Sequence, residues 1–208
     1  MIQIEEPARS AWKSGDETAI LRFKEKSQFN GEYWVRGGLT WPEFSEEQGR
    51  LLPGYVVLVG CNVKTEVRCV FAEHEFSVIE TNVDAEQKRD IPSLAPFFGH
   101  CWTKYFADTF FWRGREHIFR RYTEQIENDA TIRPKPFFVD IGINDDNEPS
   151  IALWELMNAG KVKYPKEGQL MSDLQLVAAQ PSEQLRAKEA LSCAIYGMEK
   201  YAWQRRTD

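Results

Sequence analysis

An acidic segment that follows an apolar run contains the residue types that could bind a metal ion. Asp140 ends the run Phe137–Val139, and three further acids follow by Glu148. A carboxylate at a strand end, joined by others brought close in space, is how two-metal phosphodiester enzymes hold Mg²⁺. The candidate catalytic carboxylates are Asp140, Asp145, Glu73 and Glu75. The alternative interpretation is a polar loop that caps a strand and leads into a helix.

A second group of residues combines arginines with aromatic rings. Ten of the 26 residues from Phe97 to Tyr122 are aromatic, and four arginines lie in the last part of this stretch. Guanidinium groups beside rings can hold phosphates while the rings stack on bases, and both residue types are enriched at protein interfaces. The predicted binding residues are Phe111, Arg113, Arg115, Arg120 and Arg121. The alternative is the solvated face of an amphipathic helix, with the arginines paired to nearby acids.

Other site chemistries find little support in the sequence. The four cysteines are widely spaced, and no pair has the close spacing of zinc ligands. The phosphate-binding, dinucleotide-binding, zinc-protease and serine-hydrolase motifs are missing, which disfavours those enzyme classes. We therefore expect reduced thiols, no metal site and no cofactor, with Mg²⁺ required only if the acidic residues form a phosphodiesterase site.

Charge and hydropathy limit the partners and the compartment. The net charge of −6 argues against avid, non-specific binding of nucleic acid. The first residues lack a basic segment followed by an apolar run, and no apolar run is long enough to span a membrane. We expect a cytoplasmic protein without a signal peptide, and the sequence leaves the oligomeric state open.

The first half of the chain has the alternation typical of strands. Ala19, Leu21 and Phe23 alternate with polar or solvent-facing positions, and Tyr33–Arg36 predicts a short strand that ends at a Gly37–Gly38 turn. Three β-rich runs with short polar connections then predict an antiparallel meander. These runs are Tyr55–Cys61, Glu66–Phe71 and Glu75–Thr81.

The second half has mainly helical periodicity. A helix is predicted from Phe98 to Trp112, with most of its rings on one core-facing side and Phe111 outside it. Phe137–Ile141 predicts a buried strand, and Ser150 and Ser182 are expected to begin two later helices. The predicted fold is α+β: a meander packed against a mainly helical C-terminal half. Residues 1–208 are expected to form one domain, with an alternative division into subdomains 1–92 and 93–208.

Two short stretches resemble known families. Leu153–Gln175 resembles a C-terminal stretch of phage DNA-packaging terminases, although the terminase ATPase motifs are absent. Phe138–Gly142, with the sequence FVDIG, resembles the first strand of RNase H-like nucleases. Each covers a small part of the chain, so neither assigns it to a family.

The leading functional hypothesis from the sequence is a non-catalytic binding protein. It rests on the missing catalytic motifs and on the aromatic and arginine residues, and it predicts a protein partner in a multi-protein assembly, with nucleic acid as an alternative partner at Arg113–Arg121. The alternative hypothesis is a divalent-metal-dependent nuclease that uses Asp140 and neighbouring carboxylates. The two hypotheses differ in whether Asp140 has a chemical role.

Overall fold

The fold was analysed in a computed structural model of the chain. It describes residues 33–45, 48–76, 79–83, 86–90, 94–113, 116–130, 132–142, 148–165, 168–176 and 185–201. For residues 79–83, 86–90, 94–96, 116–119, 121, 125 and 176, only the backbone is described. The strand predicted around Ala19–Phe23 lies outside these ranges.

A six-stranded mixed sheet forms the centre of the described fold. Its order is β10-β5-β4-β1-β8-β9. Strands β1, β4 and β5 pair antiparallel, whereas β8 and β9 continue the sheet parallel to β1. The short strand β10 pairs parallel to β5. The strands of this sheet are β1 (Tyr33–Thr40), β4 (Gly54–Asn62), β5 (Arg68–Phe76), β8 (Thr109–Trp112), β9 (Phe137–Asp140) and β10 (Val162–Lys163).

Two ribbons and five described helices complete this part of the chain. The ribbons are the hairpin β2 (Glu43–Ser45) with β3 (Arg50–Leu52), and β6 (Ile79–Val83) with β7 (Glu86–Asp90). The helices are α1 (Leu94–Tyr105), α2 (Glu116–Asn128), α3 (Glu148–Asn158), α4 (Gln169–Leu176) and α5 (Arg186–Lys200). This arrangement confirms the predicted α+β class, with a mostly antiparallel first half and helices mainly in the second.

The sheet has a separate hydrophobic core on each face. Alternate side chains of β4 enter the two cores, because successive residues of a strand point to opposite faces. Val56 and Leu58 pack in the core that contains residues of α1 and α2, and Val57 and Val59 pack in the core that contains α5. The sheet is therefore covered on both sides.

Two glycines bring helix α5 into direct contact with the sheet. A Cβ atom on Gly38 would lie 1.7 Å from the carbonyl oxygen of Ala190, and one on Gly197 would lie 2.1 Å from Cγ of Phe111. The predicted turn at Gly37–Gly38 is wrong, because β1 runs through both glycines to Thr40. Gly38 and Gly197 are glycines because the backbone of α5 packs on the first and the ring of Phe111 packs on the second, and not because the chain reverses there.

The predicted helix from Phe98 to Trp112 is also wrong in its second half. Helix α1 ends at Tyr105, Phe106 has a positive φ of 54°, and Thr109–Trp112 forms the parallel strand β8. Most rings of this stretch lie in the core, as expected: Phe98, for example, packs edge-on against Phe110 with the ring centroids 4.8 Å apart. The aromatic stretch is thus divided between a helix and a strand of the same core.

None of the described helices combines the length and the apolar character that crossing a bilayer requires.

Candidate functional site at the carboxyl edge of the sheet

The carboxyl ends of β1, β5, β8 and β9 lie at the same edge of the sheet, because these strands run in one direction. Strands β4 and β5 lie on one side of β1 in the sheet, and β8 and β9, which come later in the chain, lie on the other side. Ligands of open sheets with parallel strands bind beyond the carboxyl ends of the strands, where the order changes direction. The switch point here lies between the ends of β1 and β8.

An ion-pair network occupies this switch point. Arg113, directly after β8, places its Nε 3.1 Å from Oε1 of Glu189 in helix α5. Arg186 in the same helix places its Nη1 3.6 Å from Oε2 of Glu189 and 3.6 Å from Oε2 of Glu43. The Arg186 side chain also donates to the carbonyl oxygen of Trp41. These contacts connect the ends of β1 and β8 through the first turn of α5.

Arg186 is unusual because it is charged and only 9% exposed. Its Nε donates to no atom of the described residues. Nearby, burial and then the charge of Arg113 lower the pKa of Lys188. Three basic side chains therefore crowd the start of α5, and the carboxylates of Glu43 and Glu189 compensate part of their charge.

Two carboxylates hold the beginnings of helices α4 and α5. Oε2 of Glu73, in β5, accepts a hydrogen bond from the backbone N–H of Leu170 at 3.0 Å. Oδ2 of Asp173, in α4, accepts from the N–H groups of Ala187 at 2.9 Å and Lys188 at 3.2 Å. Carboxylates at helix N-termini satisfy unpaired N–H groups and interact favourably with the helix dipole. Glu73 in β5 thus contacts the start of α4, and Asp173 in α4 contacts the start of α5.

Burial shifts the ionisation of the groups at this end of β5. Burial, with smaller contributions from Asp173 and Glu75, raises the pKa of Glu73 to about 7. Burial also raises the pKa of Tyr55 well above its usual range, and the hydrogen bond that its hydroxyl donates to Glu75 adds to the effect. The charges of Glu75, Asp173 and Glu73 make smaller contributions that also raise the pKa of Tyr55.

A cavity of about 390 Å³ opens beside these groups. It lies between the hairpin β2–β3 and the start of helices α4 and α5. Its lining combines acids, bases, amides and an apolar wall, a composition that can contact a polar ligand from several sides. The lining residues are Gln48, Arg50, Leu51, Leu52, Pro53, Tyr55, Glu75, Gln169, Asp173 and Arg186.

The structure does not bring the predicted carboxylates together. Asp140 is exposed at the end of β9, and its Oδ1 accepts a hydrogen bond from the N–H of Gly142 at 2.8 Å. Strand β9 is four strand spacings from β5, which is about 19 Å, so Asp140 cannot share an ion with Glu73 or Glu75. Asp145 lies outside the described residues. Within the described ranges, no three His, Cys, Asp or Glu side chains gather closely enough to hold a metal ion.

The predicted aromatic and arginine surface is also divided. Phe111 is only 2% exposed and stacks on Tyr201 at 5.8 Å between ring centroids, so it lies in the core and not on a docking surface. Arg113 pairs with α5 on one face of the sheet, whereas Arg120 is exposed on α2, which packs on the other face. Arg115 and the side chain of Arg121 lie outside the described part of the chain.

Sequence reasoning missed Glu189, Arg186, Asp173 and Tyr55. Glu189 and Arg186 belong to the helix that was expected to begin at Ser182, and Tyr55 begins a predicted strand, but none of the four was assigned a chemical role. A weak signal was available at α5, where two cations and an acid, Arg186, Lys188 and Glu189, begin a helix that is otherwise apolar. Their meeting with β1, β5 and β8 depends on the order of strands in the sheet, which local patterns do not contain.

Comparisons with known proteins give similarity in structure only. No protein-family model matches the sequence, and no curated protein is similar to it in sequence. The human cytomegalovirus terminase nuclease domain, described as Mn soaked and inhibitor bound, aligns over 96% of this chain and 97% of its own, with a TM-score of 0.50 and 12% identity. The phage G20c large terminase nuclease with bound zinc gives a TM-score of 0.45 and 12% identity over 78% of this chain and 80% of its own. The fowlpox virus Holliday junction resolvase gives 0.37 and 8% identity over 80% of this chain and 99% of its own.

The alignment with the cytomegalovirus domain corrects the leading functional hypothesis. At 12% identity the likeness concerns the fold, but it extends over nearly the whole of both chains. A non-catalytic binding protein is therefore no longer the favoured interpretation. The solved structure that this fold resembles is described as a nuclease domain, which is the class of protein that the alternative hypothesis named.

Proposed function

We propose that this chain is a nuclease that hydrolyses phosphodiester bonds in nucleic acid. The observation that carries the proposal is the fold similarity to the cytomegalovirus terminase nuclease domain, with 96% of this chain aligned. The parallel strands β1, β8 and β9 supply a carboxyl edge of the kind where sheets of this class bind their ligands. Nucleic acid is accordingly the partner that we propose.

Asp140 is the carboxylate that we propose for catalysis. It is exposed at the carboxyl end of a parallel strand, and the acids Asp145, Asp146 and Glu148 follow it closely in sequence. Carboxylates in such a group can bind Mg²⁺ or Mn²⁺, which would polarise a phosphoryl oxygen and stabilise developing charge. The described residues alone do not complete a metal site, so the metal requirement has to be established by the assay.

The test is a cleavage assay with single-stranded and double-stranded DNA and RNA, each with Mg²⁺, with Mn²⁺ and with a chelator. We expect cleavage of at least one substrate, and we expect Asp140→Asn to reduce its rate at least about a hundredfold, within the range of losses seen when catalytic groups are removed. Glu124→Asn is the matched control, because Glu124 is an exposed acid of α2 on another part of the surface.

Two results would overturn different parts of the proposal. Absence of cleavage on every substrate, together with absence of metal-linked stabilisation, would contradict the nuclease function. Cleavage that survives Asp140→Asn but is lost in Glu189→Gln would keep the function and move the active site to the switch point between β1 and β8.

A further inference from the structure

The cavity beside Tyr55 is a second site, separate from Asp140. It lies at the end of β5, and β5 and β9 are about 19 Å apart in the sheet. Its volume of about 390 Å³ is within the range of about 300–1,000 Å³ that is typical of sites for small molecules. A site of this size holds one unit of a polymer more readily than a duplex.

The inner wall of the cavity presents hydrogen-bond acceptors. Glu75 is exposed, and its Oε2 accepts the hydrogen bond that the hydroxyl of Tyr55 donates. Asp173 adds a second carboxylate, which is 1% exposed and already accepts from Gln169 and from the start of α5. Arg186 also lines the cavity, but its guanidinium group pairs with Glu43, Glu189 and the carbonyl oxygen of Trp41. Because an ionised carboxylate accepts hydrogen bonds and cannot donate them, the exposed carboxylate of Glu75 suits a ligand that carries donors.

The outer wall of the cavity presents a positive charge. Arg50 is exposed on the hairpin, and its Nε donates to Oε1 of Gln48 at 2.8 Å, which orients the guanidinium group. Leu51, Leu52 and Pro53 form the apolar surface between this arginine and the carboxylates. A guanidinium group suits a phosphate, and an apolar surface suits the face of a base.

These walls match a nucleotide whose base has an exocyclic amino group. We propose that the cavity binds one such nucleotide unit of the nucleic-acid substrate, with the amino group at Glu75 and the phosphate at Arg50. The inference rests on the proposed nuclease function for the identity of the partner, but it makes its own claim about base preference. A cytosine amino group is a donor, whereas uracil has a carbonyl oxygen at the same position, which the carboxylate would repel.

The test is metal-free calorimetric titration of the full chain with 5′-CMP, 5′-UMP and cytidine, up to about 10 mM ligand because isolated nucleotides bind weakly. We expect CMP to bind at least about tenfold more tightly than UMP, as a charge-assisted hydrogen bond permits. Removal of the phosphate should also weaken binding, so cytidine should bind at least about tenfold less tightly than CMP.

Two substitutions separate the roles of the two walls. Glu75→Gln should abolish the preference for CMP over UMP, because the amide can donate to the uracil oxygen. Arg50→Gln should abolish the preference for CMP over cytidine while it leaves the CMP-to-UMP ratio unchanged. Glu124→Gln and Arg133→Gln make the same charge changes at exposed sites outside the cavity and should alter neither ratio. Thermal unfolding of each variant confirms that it is folded.

The inference and the nuclease proposal can fail separately. No binding of any mononucleotide, equal binding of CMP and UMP, or a CMP-to-UMP ratio that Glu75→Gln leaves unchanged would each overturn the inference, even if the protein cleaves nucleic acid. Selective CMP binding by a protein that cleaves nothing would keep the inference and contradict the nuclease function.

Discussion

Because the carboxyl of Glu73 is half-buried, we expect that its replacement by glutamine stabilises the protein at alkaline pH relative to the wild-type protein. In the folded protein the pKa of this group is raised from 4.5 to about 7, mainly by burial. Between these two pH values the folded protein holds a proton that the unfolded chain releases, so stability falls as the pH rises through this window. The glutamine side chain of the Glu73→Gln variant cannot ionise, so the variant does not lose this stability as the pH rises.

The size of the effect follows from the shift. One pKa unit corresponds to about 1.4 kcal/mol, so a shift from 4.5 to about 7 corresponds to about 3 kcal/mol at most. Part of the side chain reaches solvent, which reduces the effect, and we expect about 1–2 kcal/mol in practice. The glutamine oxygen can still accept the hydrogen bond from the N–H of Leu170, so helix α4 keeps its N-terminal contact.

The assay is urea unfolding of the wild-type protein and the variant at about pH 4.5 and about pH 8, with the free energy of unfolding compared at each pH. Relative to wild type, Glu73→Gln should gain about 1–2 kcal/mol on going from the lower to the higher pH. Glu66→Gln is an informative control because Lys161 lowers the pKa of Glu66, so its replacement should lower stability near neutral pH. A Glu73→Gln difference that is the same at both pH values, or that grows towards acid, would refute the reasoning.

Two further predictions concern the packing of the sheet against α5. Phe111→Ala should destabilise the protein by about 3–5 kcal/mol in urea unfolding, because the ring is buried, whereas Phe137→Ala, at a side chain 64% exposed, should change stability by less than about 0.5 kcal/mol. Equal effects would mean that Phe111 is not in the core. Gly38→Ala should destabilise by about 3 kcal/mol or more, because the added Cβ meets the backbone of α5, whereas Gly99→Ala, with open space around it, should be neutral or stabilising. A well-folded Gly38→Ala protein with unchanged thermal stability would contradict the described seating of the helix.

Local patterns predicted the antiparallel part of the sheet well. Strands β4 and β5 follow from β-rich runs and pair antiparallel as expected. The third run of the predicted meander, Glu75–Thr81, is wrong as a single strand of this sheet, because it begins in β5 and ends in β6, which pairs with β7 in a separate ribbon. Strand β8 was missed because four residues, Thr109–Trp112, are too few to distinguish a strand period from a helical one, and the rings around them fit a helical face. The FVDIG strand was found, but as β9 it is an edge strand whose Phe137 is exposed.

The candidate sites could be predicted only in part. Asp140 was chosen as an acid at the end of a predicted strand, and Glu73 and Glu75 were chosen as partners from the predicted meander. The structure places them at the same edge of the sheet but on distant strands. The contact between Arg113 and Glu189 joins residues 76 positions apart, and it exists because α5 crosses the ends of β1 and β8. No local periodicity predicts such a contact, since it depends on the order in which the strands assemble.

Helix α5 packs closely on the sheet at two glycines, Gly38 in β1 and Gly197 in the helix itself. The backbone of α5 contacts Gly38, and the ring of Phe111 contacts Gly197. A shift of the helix along the sheet would therefore cause a collision at these contacts. The side chain of Arg186 therefore reaches the cavity from a helix that is held at one position on the sheet. The hairpin β2–β3 forms a separate two-stranded ribbon and supplies the opposite wall. The cavity thus has one wall on the packed sheet and helices, and the other on a ribbon that pairs with no other described strand.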